Sequence, residues 1–314
     1  MGKILVTGAL GQIGSELTTA LREKYGDDNV IASDIKEINP FGGRYVQLDV
    51  LDTESWKNLL KKEGITQVYH LAAMLSGVAE KFPMKAWDLN TKSFMSLLEM
   101  AREGLVEKIF WPSSIAVYGK GARKYQTPQS EVKKPLSMYG IAKLAGERLC
   151  DYYNTKYGVD VRSIRYPGLI SWKTLPGGGT TDYAVDIYYK ALEDGRYECF
   201  LKEDSTLPML YMNDAIKATI QLMEADKDQL TVHSSYNLGG LSFNPKEIAE
   251  VIKTRIPEFE ITYNPDFRQA IADSWPAEID DSVAVKDWGW KPDYDLEAMT
   301  DEMLKNLKIK LNIH

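Results

Sequence analysis

The feature that most constrains this chain is its opening, KILVTGALGQIG. A short β-rich run, Lys3–Thr7, meets glycines at 8, 11 and 14, and Ile13, Leu17 and Leu21 then repeat at helical spacing. A strand that turns sharply into a helix leaves the first helical amides unbonded within the helix, and those amides can face a phosphate. Gly8 suits the turn, Gly11 lets backbone approach a pyrophosphate, and Gly14 lets the helix lie close on the strand. Gln12 and Ile13 supply the amides between them. Glycine spacing alone is weak; directly after an amino-terminal strand and before an amphipathic helix, it points to a dinucleotide seat.

The first half continues in the same alternation. Val30–Ser33 reads as a second strand ending at Asp34, and Tyr45–Leu48 as a third ending at Asp49. Thr53–Lys62 reads as a helix closed by Gly64. Gln67–Ala72, Lys108–Pro112 and Val161–Arg165 read as further strands, with helices near 85–103 and 138–157. The expected class is α/β: a Rossmann doubly wound parallel sheet, with a smaller α/β substrate-binding cap toward the carboxyl end. The expected division is residues 1–168 for the dinucleotide domain, with a segment near 205–240 returning to it, and 169–204 with 241–314 for the cap. Pro176–Gly179 reads as a loop, and as a hinge for the cap.

Charge and composition narrow the classes. The chain has 314 residues and a formal net charge of −7, which argues against a nucleic-acid surface. Its two cysteines, Cys150 and Cys199, sit in apolar surroundings and read as reduced core thiols. His70, His233 and His314 have no Cys or His partner at ligand spacing, so no metal site is expected. No apolar run approaches the roughly 18 residues of a membrane span. The chain runs straight into a strand without a visible leader, so a cytoplasmic setting is expected.

Asp34 stands twenty positions beyond Gly14, where a carboxylate can accept bonds from an adenosine ribose and would repel a 2′-phosphate; this favours NAD over NADP. Asp49, with the Val50 backbone beside it, is placed to reach an adenine. Leu71, Ala72 and Ala73 end the fourth strand, small enough at 72 and 73 to let a cofactor pass. Asn90 falls mid-helix, where its propensity is poor, and reads as a helix-to-strand bridge or an exposed polar group.

Two motifs carry the chemistry. WPSSIAVYG places Ser113 and Ser114 at a strand's carboxyl end, and YGIAK places Tyr139 and Lys143 one helical turn apart. A free phenol titrates near 10 and is a poor base at neutral pH. A neighbouring ammonium and a cationic ring favour the phenolate. Ser114, Tyr139 and Lys143 therefore read as a proton-transfer set, with Lys143 also reaching a ribose.

These residues resemble the short-chain dehydrogenase/reductase superfamily in its extended, epimerase-like branch. The likeness covers the whole chain. Longer stretches (LAAMLSGVAEK at 71–81, RYPGLISWKTLPGGGTTDYAVDIYYKAL at 165–192, SSYNLGG at 234–240 and the run at 265–296) are similar to the short-chain type of L-threonine 3-dehydrogenase. The likeness implies NAD as cofactor, L-threonine as substrate, and oxidation at C3 to 2-amino-3-oxobutyrate with Tyr139 as general base. It implies Ser76, Thr180 and Trp275 as substrate contacts beside Ser114 and Tyr139, and Asn90 and Tyr166 as cofactor contacts. From the residues alone, Thr180 reads equally as turn chemistry and Trp275 as core packing. The likeness also implies a homodimer through a four-helix bundle of the helices near 85–103 and 138–157. A nucleotide-sugar epimerase or dehydratase, or an NAD-sensing binding protein without turnover, would share parts of this pattern.

Overall fold

The computed structural model describes residues 2–40, 42–175, 177 and 179–313. The chain divides into two compact units. The first holds Met1–Val117, Pro135–Arg165 and Ile216–Tyr236; the second holds Tyr118–Lys134, Tyr166–Ala215 and Asn237–His314.

The first unit carries a seven-stranded sheet. Its strands are β1 (Lys3–Thr7), β2 (Val30–Asp34), β3 (Tyr45–Gln47), β4 (Ile65–His70), β5 (Lys108–Ser114), β6 (Asp160–Tyr166) and the short Tyr236–Asn237. Their order is Tyr236–Asn237, β6, β5, β4, β1, β2, β3. The pairs β1–β2, β1–β4, β2–β3 and β4–β5 are parallel. The sheet reverses direction of growth between β1 and β4, and ligands sit at that switch point in sheets of this kind. β1 is almost wholly buried, as a strand covered on both faces must be.

The helices are set by local chemistry. α1 (Gln12–Tyr25) starts at Gly11, so the glycine turn spans 8–11 and Gly14 is already helical. α2 (Thr53–Glu63) is capped by the Asp52 side chain, which accepts from the Ser55 amide, and ends at left-handed Gly64. The helix Met138–Tyr157 is capped by Ser137 and ends at left-handed Gly158. The expected helix near 85–103 is broken into Pro83–Trp87, a wide π turn at Asp88–Lys92, and Ser93–Arg102. The hydroxyls of Thr91 and Ser93 donate to the Trp87 and Leu89 carbonyls, back-bonding that competes with regular helical pairing. Leu5, Ile31, Val68, Phe94, Ile109 and Trp111 belong to one apolar core of this unit.

The second unit has its own core, around Tyr183, Tyr188, Phe243, Ile248 and Met303. It contains a three-stranded sheet ordered Leu241–Phe243, Leu207–Tyr211, Gly168–Ile170, and a parallel pair of Glu260–Tyr263 with Arg196–Cys199. Its Pro245–Lys253 helix begins with a full capping box between Asn244 and Glu247. Pro176 and Gly178, half of the expected hinge, lie outside the described residues. Among the described residues no helix is long and apolar enough to cross a membrane, and no group of three or more His, Cys, Asp or Glu could hold a metal ion. Cys150 and Cys199 are buried free thiols.

Candidate active site

The glycine turn is shaped for close backbone approach. Gly8 has φ +69, and a Cβ there would stand 2.6 Å from the Ala72 nitrogen. A Cβ on Gly14 would stand 2.2 Å from the Gly8 carbonyl oxygen, whereas one on Gly11 would meet only that oxygen, at 3.2 Å. The turn is thus packed against β4's exit on one side and is less crowded at Gly11, where only the Gly8 carbonyl oxygen stands close. The Leu71 amide donates to Thr7 and the Ala9 amide to Ser33, which ties the exits of β1, β2 and β4 together. The Asp34 carboxylate accepts from the Leu10 amide at 3.2 Å and, through its other oxygen, from the Lys36 amide at 3.4 Å. The acid ending β2 is therefore held beside the glycine turn. Asp49 is exposed and accepts from the Leu51 amide, and Val50 beside it is buried.

Of the two readings of Asn90, the exposed one is set aside. The residue sits buried in the π turn, and its amide clamps both backbone groups of Met74: the Met74 N–H donates to Oδ1 at 2.7 Å and Nδ2 donates to the Met74 carbonyl at 3.0 Å. This fixes the segment Leu71–Met74 that follows β4. Ser76 begins the short helix Ser76–Lys81 just beyond.

His70 closes β4. Its Nδ1 lies 2.8 Å from the Thr7 hydroxyl and its Nε2 2.9 Å from the Ser93 hydroxyl. Ser93 spends its proton on the Leu89 carbonyl, so Nε2 carries the ring hydrogen and Nδ1 accepts from Thr7. The ring also packs against Trp56 and Phe94. Burial first, and the charge of Lys143 second, hold the imidazole neutral by pushing it down to about 3.

β5 delivers Ser113 and Ser114, and the Met138–Tyr157 helix delivers Tyr139 and Lys143. The hydroxyls of Ser114 and Tyr139 are hydrogen-bonded to each other. Lys143, 2% exposed, donates to the Pro112 carbonyl at 2.6 Å, and its ammonium lies 5.4 Å from the Tyr139 ring centroid. The helix can approach the turn Ile115–Val117 that follows β5 this closely because Gly140 bears no side chain: a Cβ there would stand 2.2 Å from the Ala116 carbonyl oxygen.

One expectation is corrected here. The sequence suggests that Lys143 pulls the phenol down. Tyr139 keeps part of its surface exposed, but desolvation around the phenol pushes it up to about 12, and only the Ser114 bond works in the opposite direction. Burial likewise pulls Lys143 down to about 7, so its charge is only partly present at neutral pH. In the protein alone, burial is the dominant influence on both groups.

Ser113 is not aimed at a ligand. It donates to Glu147 at 2.7 Å, and Arg165 of β6 grips the same carboxylate at 2.7 and 2.9 Å. All three groups are buried. This network pins β5, the Tyr139 helix and β6 to one another. Glu147 was readable as the acid four positions past Lys143, and Arg165 as the cation inside the apolar run VRSIRY. His70 was visible in the sequence without a role.

Tyr166 ends β6 and is buried. Thr180 and Trp275 lie in the second unit. Thr180 is buried just ahead of the Tyr183–Glu193 helix. Trp275 follows the Arg268–Ser274 helix, packs against the second unit's core, and accepts a bond from Lys124 at its carbonyl.

Comparison with known proteins settles the family. The family model described as "NAD dependent epimerase/dehydratase family" matches residues 4–239. The chain belongs to that family. As a member, it is an NAD-dependent enzyme, and the glycine cradle and the Asp34 carboxylate fit that cofactor: the turn admits no side chain at Gly8 or Gly14. A relative from Staphylococcus haemolyticus, described as an uncharacterized epimerase/dehydratase, is 48% identical over 317 residues, covering 99% of each chain. The solved GalE-like L-threonine dehydrogenase from Cupriavidus necator, in its holo form, is 54% identical, covers 98% of this chain and 100% of its own, and has a TM-score of 0.95. The L-threonine dehydrogenase from Clostridium difficile is 50% identical, covers 99% and 98%, and has a TM-score of 0.96. Within the epimerase/dehydratase family, the whole-length likeness is thus to threonine dehydrogenases, as the longer sequence matches suggest.

Proposed function

We propose that this family member is an NAD-dependent L-threonine 3-dehydrogenase, oxidising the C3 hydroxyl of L-threonine to 2-amino-3-oxobutyrate. The observation that carries the reading is the Ser114–Tyr139 hydroxyl pair at the carboxyl end of β5, with Lys143 one turn along the helix. Whole-length identity of 50–54% to two threonine dehydrogenases supports it.

When bound, NAD would supply the oxidising equivalent as the acceptor of a hydride from C3. The protein supplies the rest. Ser114 donates to the substrate oxygen and steadies it as it becomes a carbonyl. Tyr139 accepts the hydroxyl proton in the same step as its phenolate, a form that the cationic ring of bound NAD and the Lys143 ammonium have to favour, because burial by itself keeps the phenol protonated. Lys143 fixes the distance between helix and strand through the Pro112 carbonyl, and in its charged form favours the phenolate. Asp34 takes the adenosine ribose, and the amides of Gln12, Ile13 and Gly14 take the pyrophosphate. Positioned proton transfer of this kind contributes about 10²- to 10⁴-fold. We assign the amino acid's other end to Ser76, Thr180 and Trp275 on the resemblance of the stretches that carry them, 71–81, 165–192 and 265–296, to threonine dehydrogenases.

The same reading includes a homodimer through the helices of residues 83–102 and 138–157, supported by the exposure of Met95, Ile141 and Tyr152 on them. Sedimentation at low micromolar concentration showing only monomer would contradict it. It also includes a cytoplasmic setting, tested by cell fractionation. For the activity, NADH formation is measured with L-threonine, L-serine, 3-hydroxy acids and nucleotide sugars. Net NADH with threonine is expected. Interconversion of a nucleotide sugar without net NADH would overturn the assignment in favour of an epimerase.

A further inference from the structure

We infer that Trp111 is a positioning residue for Lys143, its indole face forming the floor on which the buried ammonium rests. The inference rests on reading Lys143 as part of the proton-transfer set. Trp111 precedes Pro112 in β5, and the Pro112 carbonyl takes the Lys143 ammonium at 2.6 Å. The same ammonium lies 4.5 Å from the Trp111 ring centroid, nearer than the 5.4 Å to Tyr139. Both fall within the roughly 6 Å over which a ring face attracts a cation, and indole is the strongest of the aromatic faces.

The indole is held from two further directions. Phe94 stacks on it, with centroids 4.6 Å apart and planes 12° from parallel. Its six-membered ring seats against the helix at Gly146, where a Cβ would stand 2.2 Å from Cη2 and 2.4 Å from Cζ2. Gly146 comes three residues after Lys143, so the notch that admits the indole also fixes which residue of the helix stands over it. Trp111 is 2% exposed.

The electrostatic surroundings leave this floor an important role. From Lys143's own helix come Tyr139, neutral at physiological pH, the buried thiol of Cys150, and Glu147, whose carboxylate is taken by Ser113 and Arg165. From β4 comes His70, neutral and locked in one tautomer. From β6 comes Arg165, paired with Glu147. One backbone carbonyl, two aromatic faces and the sulfur of Cys150 are therefore the groups arranged to favour the ammonium over the neutral amine. Burial alone favours the amine.

The test uses the full-length chain labelled with ¹³Cε-lysine and free of cofactor, with the Lys143 signal assigned by its loss in Lys143→Met. In Trp111→Leu the titration midpoint of Lys143 is expected to fall by about half to one and a half pH units, the value of a cation–π contact in a desolvated site. Trp111→Phe, which restores a ring face, is expected to recover part of that fall. Should Trp111→Leu not fold, biosynthetic replacement of tryptophan by 5-fluoro- and 5,7-difluorotryptophan weakens the face with little change of shape, and the midpoint should drop stepwise with fluorine. An unchanged midpoint in the folded leucine variant, or across the fluorinated series, would overturn the inference. Absence of threonine-dependent NADH formation in the unaltered protein would instead refute the functional reading, and it leaves the titration readable.

Discussion

Acid should unfold this protein partly through a single side chain, His70. Its ring hydrogen is committed to Ser93 and its lone pair to Thr7, so protonation would break the Thr7 bond and place an uncompensated charge between Trp56 and Phe94. The unfolded chain takes up this proton near 6.5, whereas the native ring is held down to about 3. The native state binds fewer protons throughout that window, so stability is lost as pH falls through it. Integrated between about pH 7 and pH 4.5, the loss from this group is on the order of 2.5 kcal/mol, at up to about 1.4 kcal/mol per pH unit. His70→Gln keeps a donor and an acceptor but cannot titrate. Urea titrations of both proteins across this range should show the wild type more stable at neutral pH and the gap closing by about 2.5 kcal/mol on acidification. A gap that stays constant with pH would refute the reasoning, as would a ring ¹⁵N signal that titrates near 6 in the native protein.

Other outcomes follow from the same contacts. Glu147→Ala leaves Arg165 buried without its carboxylate and should cost about 3–5 kcal/mol in denaturant unfolding. Restoring most of that stability in Glu147→Ala by adding Arg165→Met would show that the penalty is the orphaned charge. Asp34→Ala removes the acceptor held beside the glycine turn; NAD affinity, followed by fluorescence titration, should fall about 10- to 100-fold while NADP affinity is unchanged or improved. Equal weakening of both nucleotides would count against the ribose contact.

The alternation of β-rich and helical runs carried most of the first unit into the sequence reading. Strand ends at Asp34 and Ser114 and the cap at Gly64 are local signals, and local signals survive in one dimension. The π turn at Asp88–Lys92 was not legible, because Thr91 and Ser93 look like ordinary helix residues until their hydroxyls are seen to bond back to carbonyls. The clamp of Asn90 on Met74 spans 16 positions, and the Thr7–His70 bond spans 63. Neither leaves a spacing to read. The Tyr139–Lys143 pair was legible as a pair, but the direction of their titration was not. Spacing shows that an ammonium stands near a phenol; only the packed structure shows that both are desolvated, and that burial is the largest influence on each.

The central claim is that the Tyr139 oxygen takes the proton from the C3 hydroxyl of threonine. Steady-state NADH formation from L-threonine in Tyr139→Phe, with NAD binding measured on the same preparation, tests it most directly. The account predicts turnover lowered by about 10²- to 10⁴-fold with NAD affinity within about twofold of wild type. Turnover near the wild-type rate in that variant would contradict it.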